Sequence, residues 1–154
     1  MAQTTGQVPL ACGKLEISTD SCVTWTDISG EAQSLGGTEQ ARMSGEAYTL
    51  DGDTALIAGG KREPMELVAA IVYTEVNVEA YDLVRAAFEA TGCGGGFCLR
   101  WSPKGGSAGD DRITTGAGIL VSFTYPPMDA SAGGPIMAGF MVKVASTSTA
   151  VVAS

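Results

Sequence analysis

The run Met65-Glu66-Leu67-Val68-Ala69-Ala70-Ile71-Val72-Tyr73-Thr74-Glu75 constrains the fold more than any other stretch, because it reads as a strand that is apolar on both faces. Successive side chains of a strand point to opposite faces. Met65, Leu67, Ala69, Ile71 and Tyr73 therefore point one way, and Val68, Ala70 and Val72 the other. A strand with one wetted face alternates apolar and polar residues; this one does not, so both of its faces need cover. Two sources of cover are open: the rest of the same chain, as for a well-buried central strand, or a neighbouring copy, as in an assembly protein.

A chain of 154 residues is expected to form a single domain over 1–154, long enough to bury a substantial core. Nine Lys plus Arg against seventeen Asp plus Glu leave a formal charge of -8. Such a surface repels nucleic acid instead of gripping it, since phosphate binding needs clustered basic residues. Passive accommodation of DNA is compatible with the same charge, because a wall that must not stick to a polyanion should be acidic or neutral. The opening Met1-Ala2-Gln3-Thr4-Thr5-Gly6-Gln7-Val8-Pro9 has neither a basic start nor an apolar run, so residues 1–9 read as an N-terminal extension and not as a secretory signal. Leu10-Ala11-Cys12-Gly13 lacks the preceding apolar segment that a lipoprotein cysteine needs. No stretch approaches the roughly 18 uninterrupted apolar residues of a membrane helix, and the chain reads as a soluble cytoplasmic product.

Local patterns supply the rest of the organisation. Residues 10–30 suggest a hairpin around Thr19-Asp20-Ser21 that sets Ile17 opposite Val23 and Leu15 opposite Trp25 on one face. In that register Cys22 faces Ser18 and Cys12 faces Ile28, about 20 Å apart at about 3.3 Å per residue. That is too far for a bridge whose Cα atoms must lie within about 7 Å. Residues 31–64 are polar and rich in Gly, Thr and Glu, with strand-like runs at 39–50 and 54–58 around the turn signal Leu50-Asp51-Gly52-Asp53. This excursion is expected to be an extended arm or surface loop and not core. A helix is expected over 78–90, with Asn77 as N-cap and Gly92 as the left-handed cap beyond its end. Its buried stripe would be Tyr81, Val84 and Phe88, with Asp82, Arg85 and Glu89 facing water. Phe97-Cys98-Leu99-Arg100-Trp101 alternates as a half-buried strand. Ile119, Val121, Phe123 and Tyr125 line one face of a further strand, and Ile136, Ala138, Phe140, Val142 and Val144 one face of the last. Residues 146–154 read as an extended C-terminal tail.

The chain has no histidine, which removes the commonest general base and metal ligand and excludes Ser-His and Cys-His nucleophile pairs. Cys12 and Cys22 are ten positions apart and Cys93 and Cys98 five, which does not match the short gaps of paired zinc ligands, so all read as structural free thiols. Cys93 and Cys98 flank a triple-glycine turn and could approach each other, but a reducing cytoplasm would keep them unbridged. Gly59-Gly60-Lys61 approaches a phosphate loop and fails twice: Ala55 stands where the first glycine belongs, and Arg62 replaces the Ser or Thr that would hold magnesium. Asp51-Gly52-Asp53 opens like a calcium loop, yet its twelfth position is Arg62. Asp110-Asp111 is a carboxylate pair without a convergent partner and reads as solvated loop. Neither a cofactor nor a metal site is expected.

Several short pieces stand in a definite order along the chain, with no internal repeat. Asp27-Ile28-Ser29-Gly30 closes the first hairpin, and Tyr48-Thr49-Leu50-Asp51-Gly52 and Ile57-Ala58-Gly59-Gly60 lie in the arm. Glu63-Pro64-Met65-Glu66-Leu67 enters the central strand, and Val72-Tyr73-Thr74-Glu75 precedes the helix. Leu99-Arg100-Trp101-Ser102-Pro103 follows it, and Gly133-Gly134-Pro135 precedes the last long strand. With one helix set inside an otherwise β-rich chain, this order resembles the tail tube (major tail) proteins of long non-contractile-tailed bacteriophages, the siphophage type, over residues 25–144.

The resemblance implies a mainly β fold: a β-sandwich or small barrel with one flanking α-helix and a long extended hairpin arm. It implies six copies closing into a ring and rings stacking head to tail into a hollow tube. The inner strands of all six subunits would join into a β-barrel lumen through which double-stranded DNA passes without specific binding. The implied partners are the chain itself and other phage tail proteins (tape measure, tail terminator and distal tail) in a virion made in the host bacterial cytoplasm, with no catalysis, no cofactor and no membrane. In that reading Val68, Ala70 and Val72 are subunit-interface residues. Tyr48, Leu50, Leu56 and Ile57, apolar on a polar arm, are the candidates for contact between rings.

A reading from a different class is a β-sandwich carbohydrate-binding or adhesion module. Such a module shows an exposed aromatic platform, and of the two tryptophans, Trp25 and Trp101, both alternate into a core. A hydrolase built on Asp110-Asp111 lacks both a histidine and a pocket signature.

Overall fold

The computed structural model of the chain describes residues 3–10, 12–131 and 133–154. Met1, Ala2, Ala11 and Ala132 lie outside the described residues, and with them the start of the N-terminal extension and part of the Leu10-to-Gly13 run. In chain order the elements are β1 (Lys14–Ser18), β2 (Thr26–Asp27), β3 (Ala32–Gly36), β4 (Arg42–Ala47), β5 (Leu56–Arg62), β6 (Met65–Val72), α1 (Ala80–Glu89), β7 (Gly95–Ser102), β8 (Asp111–Thr115), β9 (Gly118–Thr124), β10 (Met137–Val144) and β11 (Thr147–Val151). The fold is mainly β: a large antiparallel sheet, one helix packed on it, and the β4–β5 hairpin standing apart.

β6 is covered on one face and open on the other. Met65, Leu67, Ala69 and Ile71 are buried, Glu66 and Val68 are exposed, and Ala70 and Val72 are half-buried. β10 runs antiparallel beside it with Val142 opposite Leu67, Phe140 opposite Ala69 and Ala138 opposite Ile71, so the buried positions of both strands share a face. Ala138, Phe140, Val142 and Val144 are inside as their alternation requires, whereas Ile136 precedes the strand and is exposed. β7 departs from simple alternation: Phe97, Cys98 and Leu99 are buried in succession, and Phe97 meets Phe140 edge-on at 5.6 Å between ring centres.

Topology forces the sheet to curl. The strand order is β11-β8-β7-β9-β10-β6-β3, with β1 pairing both β2 and β7. β2 and β3 thus stand far apart in the sheet, yet residues 28–31 alone connect them. Flat, the intervening strand spacings would total roughly 29 Å at about 4.8 Å each. The connection from Asp27 to Ala32 reaches at most about 18 Å. The sheet therefore bends back on itself, and Leu15 and Ile17 of β1 enter the same core as Leu67 and Phe140. Ile28 is buried at this crossing; its N–H donates to the Leu15 carbonyl at 2.9 Å, and the Val72 N–H donates to the Glu31 carbonyl at 2.8 Å.

β8 and β9 form one bent strand in two pieces, and so do β10 and β11. Ile119 pairs with Lys143 and Thr115 with Thr147 in a register that continues across the break, where the Gly116 N–H donates to the Ser146 carbonyl at 3.0 Å. Residues 147–151, expected in a tail, are thus an edge strand. Close approach at the bend depends on glycine: a Cβ on Gly118 would stand 2.5 Å from the Lys143 carbonyl oxygen and 2.6 Å from Val144 Cγ1. Gly118→Val is expected to cost about 1–3 kcal/mol by overpacking against backbone that has little room to move. Thermal unfolding would show this as a lowered Tm, and an unchanged Tm would contradict the close crossing.

A β-bulge revises the expected face of β9. Ser122 lies opposite Met141 and Leu120 opposite Val142, which leaves Val121 as the extra residue. Leu120 and Phe123 are consequently buried, while Ile119, Val121 and Tyr125 are exposed. An inserted residue exchanges the faces on either side of it, which strict alternation cannot anticipate.

The helix begins later than its periodicity suggests. Glu79, and not Asn77, takes the N-cap position without a side-chain cap bond, and Asp82 accepts the Val78 N–H at 3.2 Å. Ala80 and Val84 are buried, Tyr81 is half-buried, and Phe88 is partly exposed while stacking on Phe123 at 5.9 Å. Arg85 bonds Asp82 and Glu89, both at 2.9 Å, on the wetted side.

The first hairpin is wider than a three-residue loop allows. Glu16 pairs with Asp27 and Ile17 with Thr26, so Val23 and Trp25 belong to the connection and not to the ladder. Asp20 organises that connection, accepting the Ser18 hydroxyl at 2.6 Å and the Thr24 N–H at 2.8 Å, while Ser21 and Cys22 take left-handed φ values of 60° and 68°. This route delivers Cys22 to Cys98 of β7, with which it forms a disulfide at a Cα separation of 5.5 Å. The expectation of four free thiols is corrected accordingly: Cys12 and Cys93 are free and exposed, Cys22 and Cys98 are bonded. The Ser18 hydroxyl and then the Thr24 amide hold the Asp20 carboxyl down to about 2. A depressed folded-state value means that the loop's contribution is present above the ordinary carboxylate range and is lost as pH falls through about 2. Carbon-13 titration of the Asp20 carboxyl should give a midpoint near that value, and a midpoint near 4, the usual aspartate value, would contradict these bonds.

Candidate assembly surface

Four strands, β3, β6, β10 and β9, lie side by side with one face against the core and the other uncovered. Across the uncovered face Val68 lies between Gly36 and Met141, Ala70 between Ser34 and Gly139, and Val72 beside Met137. Ser122 and Thr124 of β9 continue the same rows. These side chains are small or medium and uncharged; the charges on this face, Glu66 and Lys143, sit at one end and face each other at 3.7 Å. Val68 remains 43% exposed, so the chain itself does not supply the cover that the doubly apolar run called for.

The two outer strands of this group have open edges. β3 pairs with β6 alone, and β9 pairs with β7 only around Gly118 and Ile119, which leaves residues 121–124 unpaired on that side among the described residues. Unpaired N–H and C=O groups on such edges are templates for another strand.

The arm is the second exposed feature. It spans β4 and β5 and not all of 31–64, because residues 32–36 belong to the main sheet as β3. Gly37 turns the chain out of β3: its φ is +70°, and a Cβ there would lie 1.9 Å from the Glu66 carbonyl oxygen. Every residue of β4 and β5 is exposed. The base is tied to the β10–β11 bend, where Gln40 Nε2 donates to the Glu63 carbonyl at 2.9 Å and to the Ala145 carbonyl at 3.2 Å. Leu56 (62% exposed) and Ile57 (80%) lie on β5, and Tyr48 (77%) and the fully exposed Leu50 in the connection beyond β4. The structure thus brings Tyr48, Leu50, Leu56 and Ile57 together towards the tip. Val68, Ala70 and Val72 occupy a separate surface. Charge is segregated along the arm, with Arg42, Lys61 and Arg62 near the base and Glu46, Asp51 and Asp53 towards the tip.

Residues with chemical potential in the sequence take structural roles. Gly59, Gly60 and Lys61 lie inside β5 and form no loop. Asp110 is buried, accepts the Ser107 N–H at 2.9 Å and faces Lys104 at 3.4 Å, whereas Asp111 is exposed at the start of β8. Trp25 lies beneath the Arg100 guanidinium at 4.4 Å, and Trp101 is half-buried against the core, so neither forms an aromatic platform. Arg100 in turn holds Glu16 at 2.5 and 3.0 Å; burial raises the Glu16 carboxyl, but Arg100 and Lys14 outweigh it and leave it below its ordinary value. No group of acidic or cysteine side chains able to hold a metal occurs among the described residues, and no helix there is long and apolar enough to cross a membrane.

No protein-family model and no curated protein matches the chain. Solved structures do. A chain from the PVC sheath-tube complex, part of an extracellular contractile injection system in its extended state, superposes with a TM-score of 0.71 at 11% identity, over 96% of this chain and 94% of that one. The sheath/tube terminator of the same system gives 0.73 at 10% identity, over 97% and 100%. The SPP1 tail tube gives 0.65 at 11% identity, over 96% and 81%. The chain has a tail-tube fold. Its structural neighbours are tail tube proteins and not enzymes, and the expected mainly β class with one helix agrees with them. Within the tail-tube fold the sequence-derived candidates fall on two surfaces, and Ile119, Val121 and Met141 join the uncovered region unannounced, the first two because of the bulge.

Proposed function

We propose that this chain is the structural subunit of a phage tail tube, closing as six copies into rings that stack into a hollow conduit for double-stranded DNA. The observation that carries the reading is the four-strand sheet with two open edges and one uncovered, nearly uncharged face. β3, β6, β10 and β9 alternate in direction, so β9 and β3 run oppositely. Rotation of a second copy about an axis along the strands brings its β3 antiparallel to the first copy's β9, and repetition continues the ladder. Closure removes the open edges of β3 and β9.

In such a ring the β3–β9 ladder is the contact between subunits, and Val68, Ala70 and Val72, read from the sequence as interface residues, instead line the inner wall, where a nearly uncharged surface lets a polyanion slide without sticking. Tyr48, Leu50, Leu56 and Ile57 extend towards a neighbouring ring. The partners in this reading are further copies of the chain and the tail proteins at its ends and within its bore, a terminator, a distal tail protein and a tape measure, in the virion. Neighbouring structures include a tube terminator, a tube-terminating cap and a baseplate, which supports a tube bounded by other components. Size-exclusion chromatography with negative-stain imaging tests the reading. Rings or tubes with a central bore are expected, and single compact units at high concentration would overturn it.

A further inference from the structure

A groove of about 370 Å³ opens between β1 and β3, and none of the described residues fills it. Leu10, Leu15, Ala32, Leu35, Trp101 and Pro103 give it an apolar lining, and Lys14 is its one charged residue among those described. We propose that this groove receives the arm tip of another copy, with Leu50 and its apolar neighbours entering it and the tip carboxylates facing Lys14. The proposal rests on the tube-subunit reading and names the receptor for the arm.

Three observations select this occupant. The tip is apolar where the groove is apolar: Tyr48, Leu50, Leu56 and Ile57 are exposed and have no cover within their own chain. The charges are opposite in sign, since residues 43–60 hold Glu46, Asp51 and Asp53 and no basic side chain, while the groove holds Lys14, whose ammonium also pairs with Glu16 at 3.3 Å and would be shared with a tip carboxylate. The groove and the tip do not meet within one subunit. The β4–β5 ladder from Arg42↔Arg62 to Ala47↔Leu56 carries the tip roughly 17 Å from the arm's base at about 3.3 Å per residue, and Leu50 there is fully exposed. Edge pairing through the β3 backbone leaves the part-exposed sides of Ala32 and Leu35 available, because both point to the core-facing side of the sheet, opposite Ile71 and Ala69, and pack only partly against the core.

The test places the photocrosslinker benzoylphenylalanine at Leu50 in the full chain, with half the subunits labelled with nitrogen-15 so that crosslinks between copies are recognised by mass spectrometry. After assembly and irradiation, adducts are expected between copies on residues 10–15, 29–38 and 101–103. A matching variant, Ala32→Trp, fills the groove and is expected to reduce that adduct at least about tenfold while the circular dichroism spectrum stays native. Tubes that form with adducts elsewhere, or with none, overturn the groove assignment and leave the tube reading intact. Failure of the unmodified chain to assemble at all overturns both.

Discussion

Leu56→Asp is expected to give a folded, soluble protein that no longer forms tubes. Leu56 sits on β5 opposite Ala47, is 62% exposed, and belongs to a strand in which no residue is buried. A surface substitution of this kind changes folding stability by about 0.5 kcal/mol or less, so Tm should hold. Assembly is affected differently. A carboxylate placed in a contact that excludes water loses its hydration without gaining a partner, at a cost of several kcal/mol (roughly 2–7 for an uncompensated polar group), and a tube repeats that cost at each subunit. Size-exclusion chromatography and electron microscopy on the same sample separate the two effects. Unchanged tubes would remove the arm from the contact between rings.

The second large effect concerns Cys22–Cys98. The bridge spans 76 residues of sequence and ties the first loop to β7, where Cys98 is completely buried. Cross-linking a chain over that span stabilises by about 4 kcal/mol in the loop-closure picture. Reduction, or Cys98→Ser, should therefore lower the urea midpoint and bring Tm down by on the order of 8–16 °C for a domain of this size. Thiol counting gives an independent check: Cys12 and Cys93 react in the native protein, and Cys22 and Cys98 only after reduction. Labelling of all four cysteines without a reductant would contradict the bridge.

Both effects depend on features that were unequally legible in the sequence. The core-facing side of β6 and of β10 follows from alternation, since Met65, Leu67, Ile71, Phe140 and Val142 recur with the period of a strand and one face is buried. The arm is legible for the opposite reason. Large apolar residues on a Gly- and Thr-rich stretch have no core of their own to enter, and Asp51-Gly52 marks its turn. β8 and β11 were hidden because Thr147-Ser148-Thr149-Ala150-Val151 carries strand propensity without a large apolar stripe. Ile119 and Val121 were misplaced by the one inserted residue at the bulge. Cys22–Cys98 was out of reach because it depends on β1 and β7 being neighbours, with Ser18 opposite Cys98, and on a loop that Asp20 widens. The open edges of β3 and β9 are equally absent from any local pattern, since they exist only once the order of strands is known.

Those edges carry the central claim, that surface left unpaired in one copy is closed by identical copies. Hydrogen exchange read by mass spectrometry compares dispersed subunits with pelleted tubes over residues 33–37 and 121–125. The β3 and β9 amides that point away from their partners should exchange rapidly in the subunit and at least about a hundredfold more slowly in the tube, as they join an interstrand ladder. Equal exchange at both edges in the two states, with tubes plainly present, would contradict the account.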